Sequence, residues 1–391
     1  MMFKIIKGGR VFTPKDKGIK DILICGNFIV NIADNISPCS NYGELEVINV
    51  EGKYVVPGFI DQHVHLIGGG GEAGFASRDP EITLSQIVRN GVTTVVGCLG
   101  TDGMTRHLTS LLAKARGLER EGITAYMYTG SYEVPVQTIT DSVKKDIILI
   151  EKVLGAGEIA ISDHRSAQPN KEDVLKIAAE TRVGGLLSGK AGVLHLHVGD
   201  GQRKLEVLFD IVHESEIPIT QFIPTHINRN PYLLKDGIRF AKMGGTIDIT
   251  SGINPKAGAP NSIKPSKAIK ECIEGGVDID RITMSSDSNG SMALFDEFGN
   301  IKGIMAAKMD TLYEEFRDLV KEEKLALSDA LKPLTINPAK CLKLYPKKGA
   351  IRIGSDADIV VLDKSMDIEH VFAMGRTMIK NKDIITKGLY E

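Results

Sequence analysis

The stretch GFIDQHVHLIGGGGEAG, Gly58 to Gly74, places two histidines two residues apart at the end of an apolar run, with four glycines and a glutamate behind them. Side chains alternate between the faces of a strand, so His63 and His65 point the same way and can hold one ion together. The glycines supply a backbone with no preferred shape of its own. Paired imidazoles at a strand end, above a pliant loop, fit the chemical end of a barrel strand, where strands stop and βα-loops begin.

The chain around this stretch keeps the same texture. Short β-rich runs alternate with helix-period segments over residues 58–345: GFIDQHVH, VTTVVGC, TAYMYTG, EIAIS, VLHLHV, ITQFIPTHI, GTIDITS and ITMSSDS. LTSLLAKARGLEREG and DSVKKDIILIEKVLG, between them, carry apolar residues at three- and four-residue intervals and end at glycine. Eight strands separated by helices predict an α/β fold, a (β/α)8 TIM-like barrel. A doubly wound open sheet is the alternative, but the glycines at 68–71 lack the GxGxxG spacing and read as a substrate loop. Residues 1–57 alternate apolar and polar positions between turns, the pattern of short antiparallel strands with one buried face. Residues 346–391 repeat the pattern, with a hairpin expected around Gly375. Both ends are therefore expected to build one small β-sandwich domain, 1–57 with 346–391, into which the barrel, 58–345, is inserted.

A length of 391 residues, 42% hydrophobic and 25% charged, suits a large globular protein of this kind. The net charge of -2 and the lack of a basic block argue against nucleic-acid or membrane-surface partners. No apolar run approaches a membrane span, and MMFKIIKGGRVF lacks the features of a signal peptide. The five cysteines, Cys25, Cys39, Cys98, Cys272 and Cys341, are odd in number and scattered, which predicts buried thiols in a reducing cytoplasm.

Polar residues recur where the strand candidates end: His63 and His65 on the first, His197 on the fifth, His226 on the sixth and Asp287 on the eighth. Imidazole nitrogen and carboxylate oxygen are ligands suited to zinc, with an open position for water in a catalytic site. One such histidine means little; five candidate ligands at the same end of successive strands point to a metal site.

This arrangement, HxH followed by two later histidines and a late aspartate, resembles the amidohydrolase superfamily. PGFIDQHVHLIGGGGEAG, VVGCLGTDG, AISDHRSA, VGGLLSGKAGV, IPTHINRN, GGTIDITS and SSDSNGS together resemble the metal-dependent isoaspartyl (β-aspartyl) dipeptidases over nearly the whole chain. The resemblance implies two divalent ions, taken to be zinc. His63, His65 and Asp287 would bind the first ion, His197 and His226 the second. His195 points the same way as His197, but the VGD after His197 matches the family pattern, which leaves His195 a packing role. The family usually bridges its metals with a carboxylated lysine on the fourth strand; the matching position here is Glu158. Its arm is shorter, and VLGAGEIAIS is one residue longer than the usual pattern, so a strand shift could bring the carboxylate into place. The alternative is a carboxylate at the foot of the barrel and a single metal.

The same resemblance implies an isoaspartyl dipeptide as the small-molecule substrate and a homo-oligomer as the assembly. Glu72 would take the substrate ammonium, Arg165 and Arg229 its carboxylates, and Gly70, Thr101 and Ser291 would line the pocket. Asp287 would accept a proton from a bridging hydroxide and pass it to the leaving amine, while Tyr132 stabilises the oxyanion. His164 adjoins the site and could orient a neighbour. A dihydroorotase-like cyclic amidase or an N-acyl-amino-acid deacylase would share the ligands but not need Glu72. A non-catalytic assembly protein would be expected to lose ligands that this chain keeps.

Overall fold

A computed structural model describes residues 3–38, 44–295 and 301–391; Cys39 lies outside them. The chain opens with five strands, β1 (Phe3–Phe12), β2 (Asp16–Cys25), β3 (Phe28–Ala33), β4 (Leu45–Asn49) and β5 (Tyr54–Pro57). The eight strand candidates follow as β6 (Phe59–Val64), β7 (Val92–Gly97), β8 (Thr124–Thr129), β9 (Val153–Ile161), β10 (Val193–Val198), β11 (Phe222–Thr225), β12 (Ile247–Thr250) and β13 (Ile282–Ser285). Seven helices separate them: α1 (Leu84–Val88), α2 (Leu108–Glu121), α3 (Val143–Leu149), α4 (Lys171–Ser188), α5 (Glu206–Glu214), α6 (Pro231–Lys242) and α7 (Pro265–Glu274). An antiparallel pair, β14 (Ser291–Phe295) and β15 (Ile301–Ala306), then leads into α8 (Asp310–Lys321). The chain ends in β16 (Ile359–Leu362), β17 (Ile368–Ala373), β18 (Arg376–Lys380) and β19 (Asp383–Ile384).

β6 to β11 form a six-stranded parallel sheet in chain order, and β12 and β13 a parallel pair. Every residue of β6, β7, β9, β10 and β11 is buried, as expected where helices cover one face of a sheet and its curvature closes off the other. The first strand and the segment after β13 meet: Val64 bridges Ser288, His65 N–H donates to Ser288 O at 2.9 Å, and Asp287 N–H to His63 O at 3.1 Å. Deeper in, fully buried Asp248 accepts from Gln62 Nε2 (2.8 Å), Thr225 (2.6 Å), Thr283 (2.7 Å) and Ser285 (2.5 Å). Four neutral donors stand in for water around this carboxylate and tie β6, β11, β12 and β13 together.

The helices begin and end on local chemistry. Asn170 caps α4 and pairs with Asp173 in a capping box, and Gly189 closes it in the left-handed conformation. The segment DSVKKDIILIEKVLG is helical only to Leu149; its last apolar residues, from Val153, belong to β9. Short apolar runs read equally as buried helix or strand, and here tertiary pairing decided.

Both chain ends join one sheet, in the order β19-β18-β17-β16-β5-β1-β2-β3, with β4 also on β1. It is mixed rather than purely antiparallel. β4 pairs in parallel with Phe3–Lys7 of β1, and β5 with Arg10 and Val11 of the same strand, because the chain turns briefly at residues 51–53 and resumes along the same neighbour. β17 and β18 form the hairpin expected at Gly375. Buried Lys348 fastens this sheet to the parallel layer. Its ammonium meets Asp358 at 2.5 Å and Asp356 at 2.9 Å, and donates to Thr124 of β8 at 2.6 Å. Lys348→Met should therefore cost about 3–5 kcal/mol, because it strands buried Asp358 without a counter-charge and leaves Asp356 only Lys347, 3.9 Å away. Denaturant unfolding checks this, and a loss below about 1 kcal/mol would contradict it.

Candidate metal centre and its surroundings

The sequence-predicted ligands converge at the C-terminal ends of the parallel strands. Glu158, on β9, lies at their middle. Its Oε1 faces His65 Nε2 at 3.3 Å. Its Oε2 faces His63 Nε2 at 3.4 Å, His197 Nδ1 at 3.2 Å and His226 Nε2 at 3.6 Å. Asp287 Oδ1 closes the near side, 3.0 Å from His65 Nε2 and 3.4 Å from His63 Nε2. Two donor sets with ligand atoms within 4.8 Å of one another share this region: His63, His226 and Asp287, and Glu158, His197 and His226. A third adds Cys98 to His63, His65 and Glu158.

The strand shift that Glu158 would need is present. Leu194 of β10 pairs with Ala156 of β9 but Leu196 with Ile159, so Gly157 and Glu158 together stand opposite His195. A bulge of this kind re-aims a side chain. It also demands glycine: a Cβ on Gly157 would come within 2.8 Å of the His195 Cβ and carbonyl oxygen. His226 and Asp287 follow their strands on left-handed backbone, with φ of 65° and 57°. A non-glycine residue pays roughly 1–3 kcal/mol there, a cost that persists only where the surroundings enforce it.

These groups are buried and electrically coupled. Burial alone would raise the Glu158 carboxyl, but the surrounding histidines, His63 foremost, hold it well below the usual carboxylate range. Asp287 is held low in the same way, against its own burial, by His63 and His65. Burial and the neighbouring His197 push His226 down to about 3, which keeps its imidazole neutral. His63 Nε2, fully buried, has no hydrogen-bond partner among the described residues. An unsatisfied imidazole nitrogen facing two carboxylates, with three more histidines around them, is a donor set that fits divalent cations.

Partners behind the ligands set their tautomers. His226 Nδ1 lies 2.8 Å from Thr250 Oγ1, and His195 Nε2 lies 3.0 Å from His63 Nδ1. His195 thus does more than pack: it meets the far nitrogen of a candidate ligand. Asp163, which sequence reasoning passed over, lies 2.9 Å from His197 Nε2 and leaves Nδ1 facing Glu158. Carboxylate behind imidazole is the usual outer partner of a ligating histidine. Its signal lies in AISDHRSA, one position before His164. That side chain is 85% exposed, with its Nδ1 3.6 Å from Asp163 Oδ1. Cys98, expected only as a buried thiol, sits 4.0 Å from His65 Nδ1.

Glu72 Oε1 accepts from Ser291 at 2.8 Å and Thr101 at 3.0 Å, and lies 3.5 Å from Arg165. Glu72 Oε2 takes no hydrogen bond among the described residues. Arg165 grips Asp163 through Nε and a terminal nitrogen, at 3.0 and 2.8 Å, and lies 5.5 Å from the Tyr132 ring centre. The Tyr132 hydroxyl reaches His197 Nδ1 at 2.7 Å, and burial holds it well above the usual phenol range. Arg229 follows His226 in the chain and is anchored by Nε to Val198 O at 3.1 Å. Gly70 lies in the glycine loop, bridged to Arg78 rather than to any of these side chains.

Residues 46–141 and 248–380 each match a model described as the amidohydrolase family. The β-aspartyl dipeptidase of Fervidobacterium islandicum AW-1, solved in complex with β-Asp-Leu dipeptide, is 44% identical, covers 98% of each chain and superposes with a TM-score of 0.90. The dihydroorotase of Carboxydothermus hydrogenoformans is 24% identical over 94% of this chain and 90% of its own. The dihydropyrimidinase of Brevibacillus agri NCHU1002, at 18% identity and a TM-score of 0.69 over 99% of this chain and 97% of its own, shares the fold. The chain belongs to the amidohydrolase family and is a hydrolase, related over almost its full length to a β-aspartyl dipeptidase.

Proposed function

We infer that the protein hydrolyses the isoaspartyl bond of β-aspartyl dipeptides. The observation that carries this reading is Glu72, whose Oε1 is tied by Ser291, Thr101 and Arg165 while Oε2 has no hydrogen-bond partner among the described residues. A fixed, half-satisfied carboxylate in that place suits a substrate ammonium. Arg165 and Arg229 offer guanidinium groups for the two substrate carboxylates, with Gly70, Thr101 and Ser291 completing the lining. Curated relatives at about a quarter identity are dihydroorotases. Their ring substrate has no free ammonium to occupy Glu72.

Two divalent cations, zinc by the donor set, would be held by His63, His65 and Asp287 on one side and His197 and His226 on the other, with Glu158 between. When bound they would supply Lewis acidity that eases deprotonation of water and polarises the scissile carbonyl. Glu158 carries the charge of a lysine carbamate without needing carbon dioxide. Asp287 takes the proton of the attacking water and returns it to the departing amine, a role suited to a carboxylate held ionised at neutral pH. The Tyr132 hydroxyl, kept protonated by burial, donates to the developing oxyanion. Glu72 and the arginines hold the two ends of the dipeptide so that the β-carbonyl meets that water.

The two parallel groups read as one closed (β/α)8 barrel spanning 58–345. The terminal sheet, folded over a cluster that includes Ile6, Val11, Ile22, Val55, Ile359 and Phe372, reads as a small sandwich made from 1–57 and 346–391. The free thiols of Cys98, Cys272 and Cys341 suit a reducing compartment such as the cytoplasm. No helix of the described residues is long and apolar enough to cross a membrane. A homo-oligomer remains the expected assembly.

Hydrolysis assays test the substrate. β-Asp-Leu should be cleaved, with α-Asp-Leu and N-acetyl-β-Asp-Leu about 30- to 1000-fold poorer in kcat/KM, the equivalent of roughly 2–4 kcal/mol for a lost charged hydrogen bond. Equal turnover of the acetylated compound would make the enzyme a deacylase. Glu72→Gln should lower kcat/KM for β-Asp-Leu by a similar factor while leaving the metal content intact. Reconstitution of metal-free protein with zinc should reach full activity in buffer stripped of carbon dioxide. A strict need for bicarbonate would mean that a carbamate, and not Glu158, bridges.

A further inference from the structure

The glycine loop that carries Glu72 has a dedicated fastener. Arg106, after β7, is 8% exposed and forms no salt bridge among the described residues. Its guanidinium instead donates to three backbone carbonyls: Ile67, Gly69 at 2.6 Å and Asp79 at 3.0 Å. Those carbonyls come from both sides of the loop, before and after Glu72. The loop folds back on itself there. Asp79 N–H donates to Gly69 O at 3.0 Å and Gly71 N–H to Ser77 O at 3.2 Å, and Gly69 N–H reaches Asn289 O at 2.7 Å. The fold-back is tight enough that a Cβ on Gly68 would strike the Asp79 carbonyl oxygen. Glycine-rich backbone has much freedom to lose, so something outside the loop must select this one shape.

Arginine suits the task chemically. Its planar fork presents five donors and stays charged when buried, so one side chain can satisfy several carbonyls that would otherwise be crowded and unpaired. A second tie runs in parallel: Arg78, on the returning arm, pairs at 2.6 Å with Asp102, in the same segment as Arg106. The segment 101–106 also carries Thr101, which holds Glu72 directly. Loop and latch are therefore one unit.

We propose that Arg106 is a positioning residue for substrate selection: by clamping the Ile67, Gly69 and Asp79 carbonyls it presets Glu72 for the substrate's free ammonium. This rests on the dipeptidase reading above. Glu72 touches the substrate; Arg106 acts only through the loop. Loss of the clamp should therefore weaken recognition of the ammonium and spare the metal ligands.

Arg106→Met and Arg106→Lys test this, with hydrogen exchange of residues 66–80, metal content, and kinetics on β-Asp-Leu and N-acetyl-β-Asp-Leu. Arg106→Met should speed amide exchange in that loop by on the order of 10-fold or more while other segments and metal content hold. KM for β-Asp-Leu should rise by about 10-fold or more with a smaller change in kcat, and the preference for the free over the acetylated dipeptide should shrink in proportion. Arg106→Lys, which keeps the charge but cannot span all three carbonyls, should fall between and serves if the Met variant does not fold. Unchanged exchange in the loop would overturn the clamp. Faster exchange with an unchanged preference would overturn its link to selection. A wild-type enzyme that does not distinguish the two dipeptides would instead refute the dipeptidase reading, and with it the selective role, whatever the exchange shows.

Discussion

The arrangement turns on one buried carboxylate. Glu158 places one oxygen against His65 and the other against His63, His197 and His226, so four imidazoles, on β6 and β10 and just after β6 and β11, are organised around it. A lone ionised carboxylate at that depth would be costly, and the surrounding groups hold it charged. The rest of the fold near the site can be understood as meeting the needs of that group. β9 bulges to aim it, Gly157 makes the bulge possible by lacking a side chain against His195, and His226 accepts an unfavourable backbone angle to face it, as Asp287 does to face His63 and His65.

Beneath the cluster the interior is polar where an apolar layer is usual in such sheets. Asp248 gathers donors from three neighbouring strands, and Thr225, one of those donors, lies 3.2 Å from Thr250, the hydroxyl partner of His226. The ligand imidazole is thus linked through hydroxyls to a buried anion, an outer arrangement that fixes a tautomer. Asp163 plays the same part for His197 from the other side, and shares itself with Arg165. The proposed metal ligand His197 and the proposed substrate arginine Arg165 consequently meet at one aspartate.

Much of this was legible from residue spacing. Alternation placed His63 and His65 on one face, and the eight strand candidates are all strands. The extra residue in VLGAGEIAIS appears as the β9 bulge. Legibility failed where a residue's role comes from a neighbour distant in the chain. Asp163 and His164 look alike in sequence, yet one faces His197 and the other solvent, a difference set by how the turn after β9 folds. Asp248 sat inside a quoted motif without a role, because its donors lie up to 186 residues away. The parallel pairing of β4 and β5 with β1 escaped notice for a similar reason: alternation reports which face is buried, not which strand lies alongside.

The bridging role proposed for Glu158 is most directly tested by anomalous scattering at the zinc edge from crystals of zinc-loaded protein. Two peaks are expected, one beside His63, His65 and Asp287 and one beside His197 and His226, with an oxygen of Glu158 bound to each. A single peak in crystals grown with excess zinc, or a Glu158 carboxylate turned away from both ions, would contradict it.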